Sequence, residues 1–360
     1  MPLNSPVCIY VKKRINALRK LLSTYNCDAC LIQSEDNLFY FLDKRIEGAL
    51  LVLPNACVVI SDRRYKEELE PYASRFSLVF SRSYLRSLHE LVERYKIRSL
   101  GIEESIVPVS LYESLQAMVK TAVPVGNAIE RLRMVKSAEE IRRIRKAVSI
   151  AGESIDFLRQ IVAVGKTEKS LEAEILRFCL LKGADEPSFP PIVLSGKNTS
   201  LVHGRPSSRR LHDNEHVLVD FGVRYRGYCS DLTRIFCLGR IPSYIKDTIK
   251  LVLEAQEIAF KSIREGQFLS SVEIEVRRFF KKHRKEKYFY HSLGHGLGIE
   301  VHEKPFFSEK NRELTFREGM VVTVEPGLYF EGKFGVRIED VVLITRKGVE
   351  ILSGDINKSI

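Results

Sequence analysis

The sequence predicts two domains, an α/β domain over residues 1–124 followed by an α+β domain over residues 125–360. Three observations predict this. The chain has 360 residues, more than a typical single domain of roughly 100–200. In its first part, short apolar runs alternate with segments of helical period, the pattern of an α/β layer. Beyond Pro190 the pattern changes to strand-length runs joined by short turns, after two helical segments.

In the first domain, residues 12–22 alternate charged and apolar side chains with helical period. Strand-like runs follow at Ala29–Ile32, Ala49–Leu53, Val58–Ile60, Leu78–Phe80 and Leu100–Ile102, with a helical pattern at Tyr84–Tyr95. In the second domain Leu132–Leu158 reads as a long amphipathic helix. Ser137 lies three residues before Glu140, the spacing of a capping box, which places a helix start there. A second helix starts near Gly165–Glu168, runs through Cys179 and breaks at Gly183. Strands are then expected at Ile192–Ser195, Val217–Val223, Tyr228–Leu238, Met320–Tyr329 and Gly335–Thr345.

Composition narrows the function classes. The chain is 44% hydrophobic and 29% charged, ordinary for a globular protein. Met1–Pro6 lacks a basic segment followed by an apolar run, and the longest apolar runs are too short to cross a bilayer, so a cytoplasmic protein without a membrane partner is expected. Cys8, Cys27, Cys30, Cys57, Cys179, Cys229 and Cys237 are odd in number and follow no framework spacing, which fits reduced thiols. Cys27–Cys30 is formally a C-x-x-C, but Ala29–Ile32 reads as the start of a buried strand. The net charge of +11 invites nucleic acid as a partner. Its densest stretch, Arg277–Lys287, follows apolar residues at near-helical spacing and reads as a solvated helix face. No nucleic-acid motif accompanies it, so no nucleic-acid partner is expected. Gly196-Lys197-Asn198-Thr199 fails as a phosphate loop, because Pro191 stands where that motif needs glycine.

The chemistry concentrates in acids set within strands. If Arg224 pairs with Gly227 across a two-residue loop, Gly222 faces Cys229 and Asp220 faces Asp231. Opposed residues of an antiparallel pair lie roughly 4.5–5.5 Å apart on one face, so two acids there repel unless a cation lies between them. The competing reading points both acids into solvent. Glu325 ends the apolar run Met320–Val324, and Glu339 interrupts Val336–Ile344. Acids in such runs need a cation or a hydrogen-bond partner. Arg337 offers Glu339 one, so a structural ion pair is the competing reading there.

His291, His295 and His302 fall within twelve residues, in a segment where Gly294, Gly296 and Gly298 forbid a regular helix. This is not the helical H-E-x-x-H arrangement of zinc sites. Four carboxylates with one imidazole form an oxygen-rich set suited to two hard or borderline divalent ions. Two such ions roughly 3.5–4 Å apart can share a water, lower its pKa and polarise a carbonyl, which is the chemistry of amide hydrolysis.

At these residues the sequence resembles the pita-bread metallopeptidases, family M24, in the branch of Xaa-Pro aminopeptidases and Xaa-Pro dipeptidases (prolidases). The loop His291–Glu303 fits the branch's H-x-x-[SG]-H-x-x-G-x-x-[IV]-H-[DE] pattern at every position. Asp28-Ala29, Gly48–Val52 and Asp62–Tyr65 resemble its creatinase-like N-terminal domain; Arg133–Ala147 resembles the helix that opens the catalytic domain. Phe189–Asn198 followed by His203 resembles its first catalytic-domain strand and substrate-side histidine. The resemblance implies an α/β domain followed by a pita-bread (creatinase/aminopeptidase) domain. It implies Asp220 on one metal, Asp231 and Glu339 bridging two, and His295 and Glu325 completing the second. Glu325 would also serve as general base. His302 would stabilise the oxyanion or shuttle a proton, and His203 would hold the scissile amide. His291 would line the proline pocket, Arg337 would orient polar groups near the substrate, and Thr233 would support the acids. Two Mn ions (Co or Zn as substitutes) and a homodimer are implied.

The implied activity is that of an Xaa-Pro aminopeptidase on proline-containing peptides, with Xaa-Pro dipeptidase as the alternative. A non-catalytic binding protein on the same fold is the reading from another class. Relatives of that kind lose metal ligands, whereas all five positions are filled here. The branch's usual Arg-Thr pair is Arg234-Ile235, and the chain has no Trp, so any aromatic wall at the pocket comes from Tyr or Phe.

Overall fold

The structure, a computed structural model, describes residues 6–310 and 312–358. Met1–Ser5, on which the leader expectation rests, and the Cys8 side chain lie outside what is described. The chain divides into two compact units, Met1–Arg133 and Met134–Ile360.

The first unit opens with helix α1 (Pro6–Thr24) and is built on strands β1 (Ala29–Ile32), β2 (Gly48–Val52), β3 (Cys57–Ser61), β4 (Ser77–Phe80), β5 (Ser99–Ile102) and β6 (Thr121–Pro124). Their order in the sheet is β4-β3-β2-β1-β5-β6. β1, β5 and β6 run parallel, as do β3 and β4, while β2 is antiparallel to both neighbours. Helices α2 (Glu35–Leu42), α3 (Lys66–Leu69), α4 (Tyr84–Tyr95) and α5 (Val109–Met118) connect them. Ser34 caps α2 by accepting from the Asn37 amide, with Glu35 and Asp36 in the first turn, where acids complement the helix dipole. Cys30 is fully buried in β1, and no disulfide joins the six cysteines with described side chains.

Helix α6 (Gly126–Met134) leads to α7 (Ala138–Ile161) and α8 (Glu168–Leu181). Ser137 and Glu140 form the reciprocal capping box that starts α7; Thr167 caps α8. Short β7 (Glu186–Pro187) precedes β8 (Ile192–Ser195), β9 (Glu215–Phe221), β10 (Val223–Tyr225), β11 (Tyr228–Cys229) and β12 (Leu232–Leu238). The expectation that this unit places its helices first and its strands afterwards is corrected here. Two further helices, α9 (Ser243–Ser262) and α10 (Leu269–Lys282), separate these strands from β13 (His295–Gly296), β14 (Glu303–Phe306), β15 (Val321–Val324), β16 (Gly327–Phe330), β17 (Phe334–Arg337), β18 (Asp340–Thr345) and β19 (Gly348–Ile351). α10 buries Leu269, Val272, Val276 and Phe280, and leaves Arg278, Lys281, Lys282 and Arg284 in solvent at and beyond its end.

Strand parity aims the acids. β9 sends Val217, Val219 and Phe221 into a core shared with Ile150, Leu158, Leu171 and Ile175 of α7 and α8. It sends Leu218 into a second core shared with Val252 of α9 and Val272, Val276 and Phe280 of α10. Side chains alternate between faces with period two. Asp220 therefore shares the Leu218 face, which is interior, and the solvent-facing reading of this hairpin does not hold.

The expected register of this hairpin also differs. Tyr225 pairs with Tyr228 around Arg226-Gly227, both at positive φ as a two-residue hairpin loop requires. Thr233, and not Asp231, consequently faces Asp220. The shift is two residues, so the two aspartates keep a common face and become diagonal neighbours. Gly222 permits the close passage that this demands, since a Cβ there would lie 1.8 Å from the Ser230 carbonyl oxygen.

Candidate metal centre and peptide cavity

Each of the five candidate ligands stands at a strand end or a break between strands. Asp220 is the penultimate residue of β9, Asp231 separates β11 from β12, and His295 opens β13. Glu325 separates β15 from β16, and Glu339 separates β17 from β18. At such points a side chain escapes the packed faces of the sheet, and all five line one cavity of ≈ 400 Å³. His295 Nε2 lies 3.3 Å from Glu325 Oε1 and 3.7 Å from Asp231 Oδ2. Ligand atoms of Asp231, His295 and Glu339 all fall within 4.8 Å of one another.

The electrostatics of this cluster ask for a cation. Asp220, Asp231 and Glu339 are buried, and Asp220 Oδ1, Asp231 Oδ1 and Glu339 Oε1 have no hydrogen-bond partner among the described residues. Burial raises the Asp231 carboxyl well above the ordinary range, and the charges of Glu339, Asp220 and Glu325 raise it further. Glu339 is raised in the same way, by burial and then by Glu325 and Asp220. Burial also raises Asp220, against the pull of Arg337. At Glu325 burial is outweighed by the hydrogen bond with His295, the neighbouring imidazoles of His291 and His295 and the Arg337 guanidinium, which bring it down to about 2. Among the described residues, the Arg337 guanidinium is the one hydrogen-bonded within this set of four carboxylates. Orphaned oxygens of that kind, arranged around an imidazole, fit divalent cations of hard or borderline type.

Arg337 organises the polar wall. It donates to Asp220 Oδ2, to the Tyr329 hydroxyl at 2.6 Å, to Thr233 Oγ1 at 3.2 Å and to the Val202 carbonyl at 3.3 Å. The Thr233 hydroxyl in turn donates a hydrogen bond to Glu339 Oε2 at 2.8 Å, the kind of outer hydrogen bond that orients a ligand carboxylate. His291 Nδ1 lies 2.8 Å from the Ser292 carbonyl, and Nε2 lies 3.0 Å from the Tyr329 hydroxyl. A carbonyl only accepts, so Nδ1 carries the proton and Nε2 accepts from Tyr329. Sequence reasoning missed Tyr329, whose only signal is its place four residues beyond Glu325, inside a run that reads as plain strand.

His203 and His302 are exposed at the cavity wall, with the His302 ring 4.2 Å from that of His295. Phe189, Pro190, Ile192, Val202 and Phe306 supply an apolar lining. The cavity thus gathers every site residue expected from the sequence. Ile235, at the departure from the usual Arg-Thr pair, is buried in the core away from this lining.

The loops are held by buried carboxylates outside the ligand set. Glu303 pairs with Lys136 at 2.9 Å beside His302. Glu273 of α10 accepts the Leu293 amide at 2.7 Å, while Arg277 donates to the His291 carbonyl at 2.8 Å.

Comparison with known proteins agrees with this geometry. The description "Metallopeptidase family M24" matches residues 142–346, and "Creatinase/Prolidase N-terminal domain" matches residues 14–135. An Xaa-Pro dipeptidase of Pyrococcus horikoshii is 31% identical over 347 residues, covering 95% of this chain and 97% of that protein. The solved structure of an Xaa-Pro dipeptidase from Bacillus anthracis superposes with a TM-score of 0.93 at 29% identity, covering 97% of this chain and 99% of that one. An X-Pro aminopeptidase from Thermotoga maritima superposes with a TM-score of 0.86 at 30% identity, covering 95% and 100%. The chain belongs to metallopeptidase family M24, and is a metallo-exopeptidase with a creatinase/prolidase-type N-terminal domain and a pita-bread catalytic domain.

Proposed function

We propose that the chain is an Xaa-Pro dipeptidase that uses two divalent metal ions, manganese by preference, held by Asp220, Asp231, His295, Glu325 and Glu339. The observation that carries this reading is a carboxylate–histidine cluster in a ≈ 400 Å³ cavity that is also lined by the apolar side chains of Phe189, Pro190, Ile192, Val202 and Phe306. The end-to-end likeness to Xaa-Pro dipeptidases supports the dipeptidase over the aminopeptidase first expected from the sequence. The likeness to an X-Pro aminopeptidase keeps the latter as the second reading.

Bound divalent ions in this donor set would activate water and polarise the scissile carbonyl. The side chains supply the rest. Glu325, half-buried and held ionised by His295, is placed to accept the water's proton at a carboxylate oxygen. His302, exposed beside the His295 ring, is placed to donate to the oxygen that gains charge. His203 would hold the amide from the facing loop. His291, fixed by Ser292 and Tyr329, would form one side of the proline pocket with Phe189, Ile192 and Phe306. The lack of a disulfide among the described cysteines fits a cytoplasmic setting. No helix among the described residues is long and apolar enough to cross a membrane. A homodimer is expected from the family resemblance, and sedimentation would read it directly.

The test is turnover of Ala-Pro against Ala-Ala and against Ala-Pro-Ala-Ala, with elemental analysis of the purified protein. Preference for Ala-Pro and about two equivalents of metal per chain are expected. Equal cleavage of Ala-Ala and Ala-Pro would end the proline reading; faster cleavage of the tetrapeptide would return the assignment to the aminopeptidase.

A further inference from the structure

The catalytic cavity carries a cation that the rest of the site leaves unused. Arg205 lines it two residues beyond His203 and is exposed. Among the described residues it has no hydrogen-bond or ion-pair partner. The neighbouring arginines are committed. Arg337 is spent on Asp220, Thr233, Tyr329 and the Val202 carbonyl. Arg209 makes two hydrogen bonds to Glu215, at 2.8 and 2.6 Å.

The loop that carries Arg205 is anchored at both ends by one carboxylate. Glu168, fully buried, accepts from the Ser195 amide at 2.7 Å and hydroxyl at 2.8 Å, and from the Asn198 side chain at 3.1 Å. It accepts as well from the Ser207 amide at 3.0 Å and hydroxyl at 2.7 Å. His203 and Arg205 lie between these anchors, so the guanidinium projects from a pre-organised segment rather than from a loose one.

The geometry points to Arg205 as the anchor for the free C-terminal carboxylate of a two-residue substrate. This inference rests on the Xaa-Pro dipeptidase reading and gives it a residue. A dipeptide presents a negative charge one residue beyond the scissile bond, and a guanidinium is the side chain best shaped to receive it with two parallel hydrogen bonds. The Asp220, Asp231, Glu325 and Glu339 wall cannot serve, being acidic. The histidines lining the cavity are not permanently charged. At ≈ 400 Å³ the cavity is near the small end of ligand pockets, about 300–1,000 Å³. A longer peptide would place a neutral amide where the carboxylate belongs and leave the guanidinium without its counter-charge. Arg205 would thereby set the length of peptide accepted.

The experiment compares kcat/KM for Ala-Pro, Ala-Pro amide, Ala-Leu, Ala-Leu amide and Ala-Pro-Ala-Ala, in the metal-loaded protein and in its Arg205→Gln and Arg205→Lys variants. The expected result is a preference for free acid over amide of roughly 10- to 100-fold, the size of one charge-assisted hydrogen bond. In Arg205→Gln this ratio falls towards one, mainly through KM, and Arg205→Lys recovers part of it. An unchanged acid-to-amide ratio in Arg205→Gln overturns the inference. Preference of the unaltered protein for Ala-Pro-Ala-Ala also overturns it, while leaving cleavage before proline standing. Failure of the proline reading appears on the other axis, as Ala-Leu cleaved as well as Ala-Pro, and there the acid-to-amide ratio still reports on Arg205. The residue is exposed, so neither variant is expected to disturb folding.

Discussion

Arg337 donates through its Nη2 to Asp220 Oδ2 inside a wall that is otherwise acidic, and both side chains are almost wholly buried. The guanidinium is a fixed positive charge hydrogen-bonded within a set of four carboxylates, and it also carries Tyr329 and Thr233. Removing it with Arg337→Met leaves Asp220 buried and unpaired. Breaking a buried pair in this way costs about 3–5 kcal/mol, to be read by urea denaturation in the presence of a chelator. Arg337→Lys should rescue little, because an ammonium is a compact point charge and lacks the planar fork that reaches Asp220, Tyr329, Thr233 and the Val202 carbonyl together. Full rescue by lysine would show that charge alone, and not the fork, matters at this position.

Asp231 gives a prediction with opposite signs for stability and function. In the metal-free protein its carboxyl is raised, by burial first and then by Glu339, Asp220 and Glu325. Asp231→Asn removes that repulsion without changing shape. The metal-free variant should therefore melt higher than the metal-free native protein, by roughly 2–4 °C for each kcal/mol gained in a domain of this size. The native protein should overtake it when metal is added, since a ligand at a hundredfold excess over Kd contributes about 2.7 kcal/mol. Turnover should be lost. A variant that melts lower without metal would contradict the repulsion argument.

What the sequence made legible here has physical limits. The candidate ligands stood out because acids interrupting apolar strands and a glycine-spaced histidine loop are costly patterns without a function, while the role of each came from the family resemblance. The faces of β9 and β12 were readable to within a two-residue slip, which period two forgives: Asp220 faces Thr233, yet still neighbours Asp231 on one face. Helix α9 went unread because its apolar residues serve a core made by strands far away in sequence, Val322 and Val342 among them. Tyr329 and Arg205 went unread for a related reason. Their meaning lies in what the fold sets beside them, namely His291 and Arg337 for one, and a cavity without a second free guanidinium for the other.

His216 gives a pH dependence away from the metal ligands. Burial lowers its pKa from the ordinary value, only partly offset by the hydrogen bond to the Gly335 carbonyl at 2.8 Å. A histidine depressed in the folded state is neutral there while its unfolded form takes up protons. Its contribution is thus complete above the unfolded value of about 6.5 and is lost as the pH falls towards the folded one. The slope in that window is at most about 1.4 kcal/mol per pH unit. His216→Gln keeps an N–H donor for the Gly335 carbonyl but cannot titrate. Denaturation between pH 7 and pH 5 should therefore show a shallower loss of stability in the variant; parallel curves would assign the acid sensitivity to other groups.

Glu168 should link stability to substrate binding through the loop that it anchors. Five donors from Ser195, Asn198 and Ser207 converge on its two oxygens, with the carboxylate fully buried. A glutamine of the same shape keeps one accepting oxygen and turns an amide donor towards the remaining donors. Leaving buried donors unsatisfied costs about 1–3 kcal/mol each, so Glu168→Gln should lose about 2–4 kcal/mol in thermal or urea unfolding. His203 sits on the tethered loop, whereas the five candidate ligands lie on other elements. Among molecules still folded, metal content should therefore be retained while KM rises several-fold and kcat changes less. Loss of metal together with KM would mean that the anchor supports the whole cavity and not the loop alone.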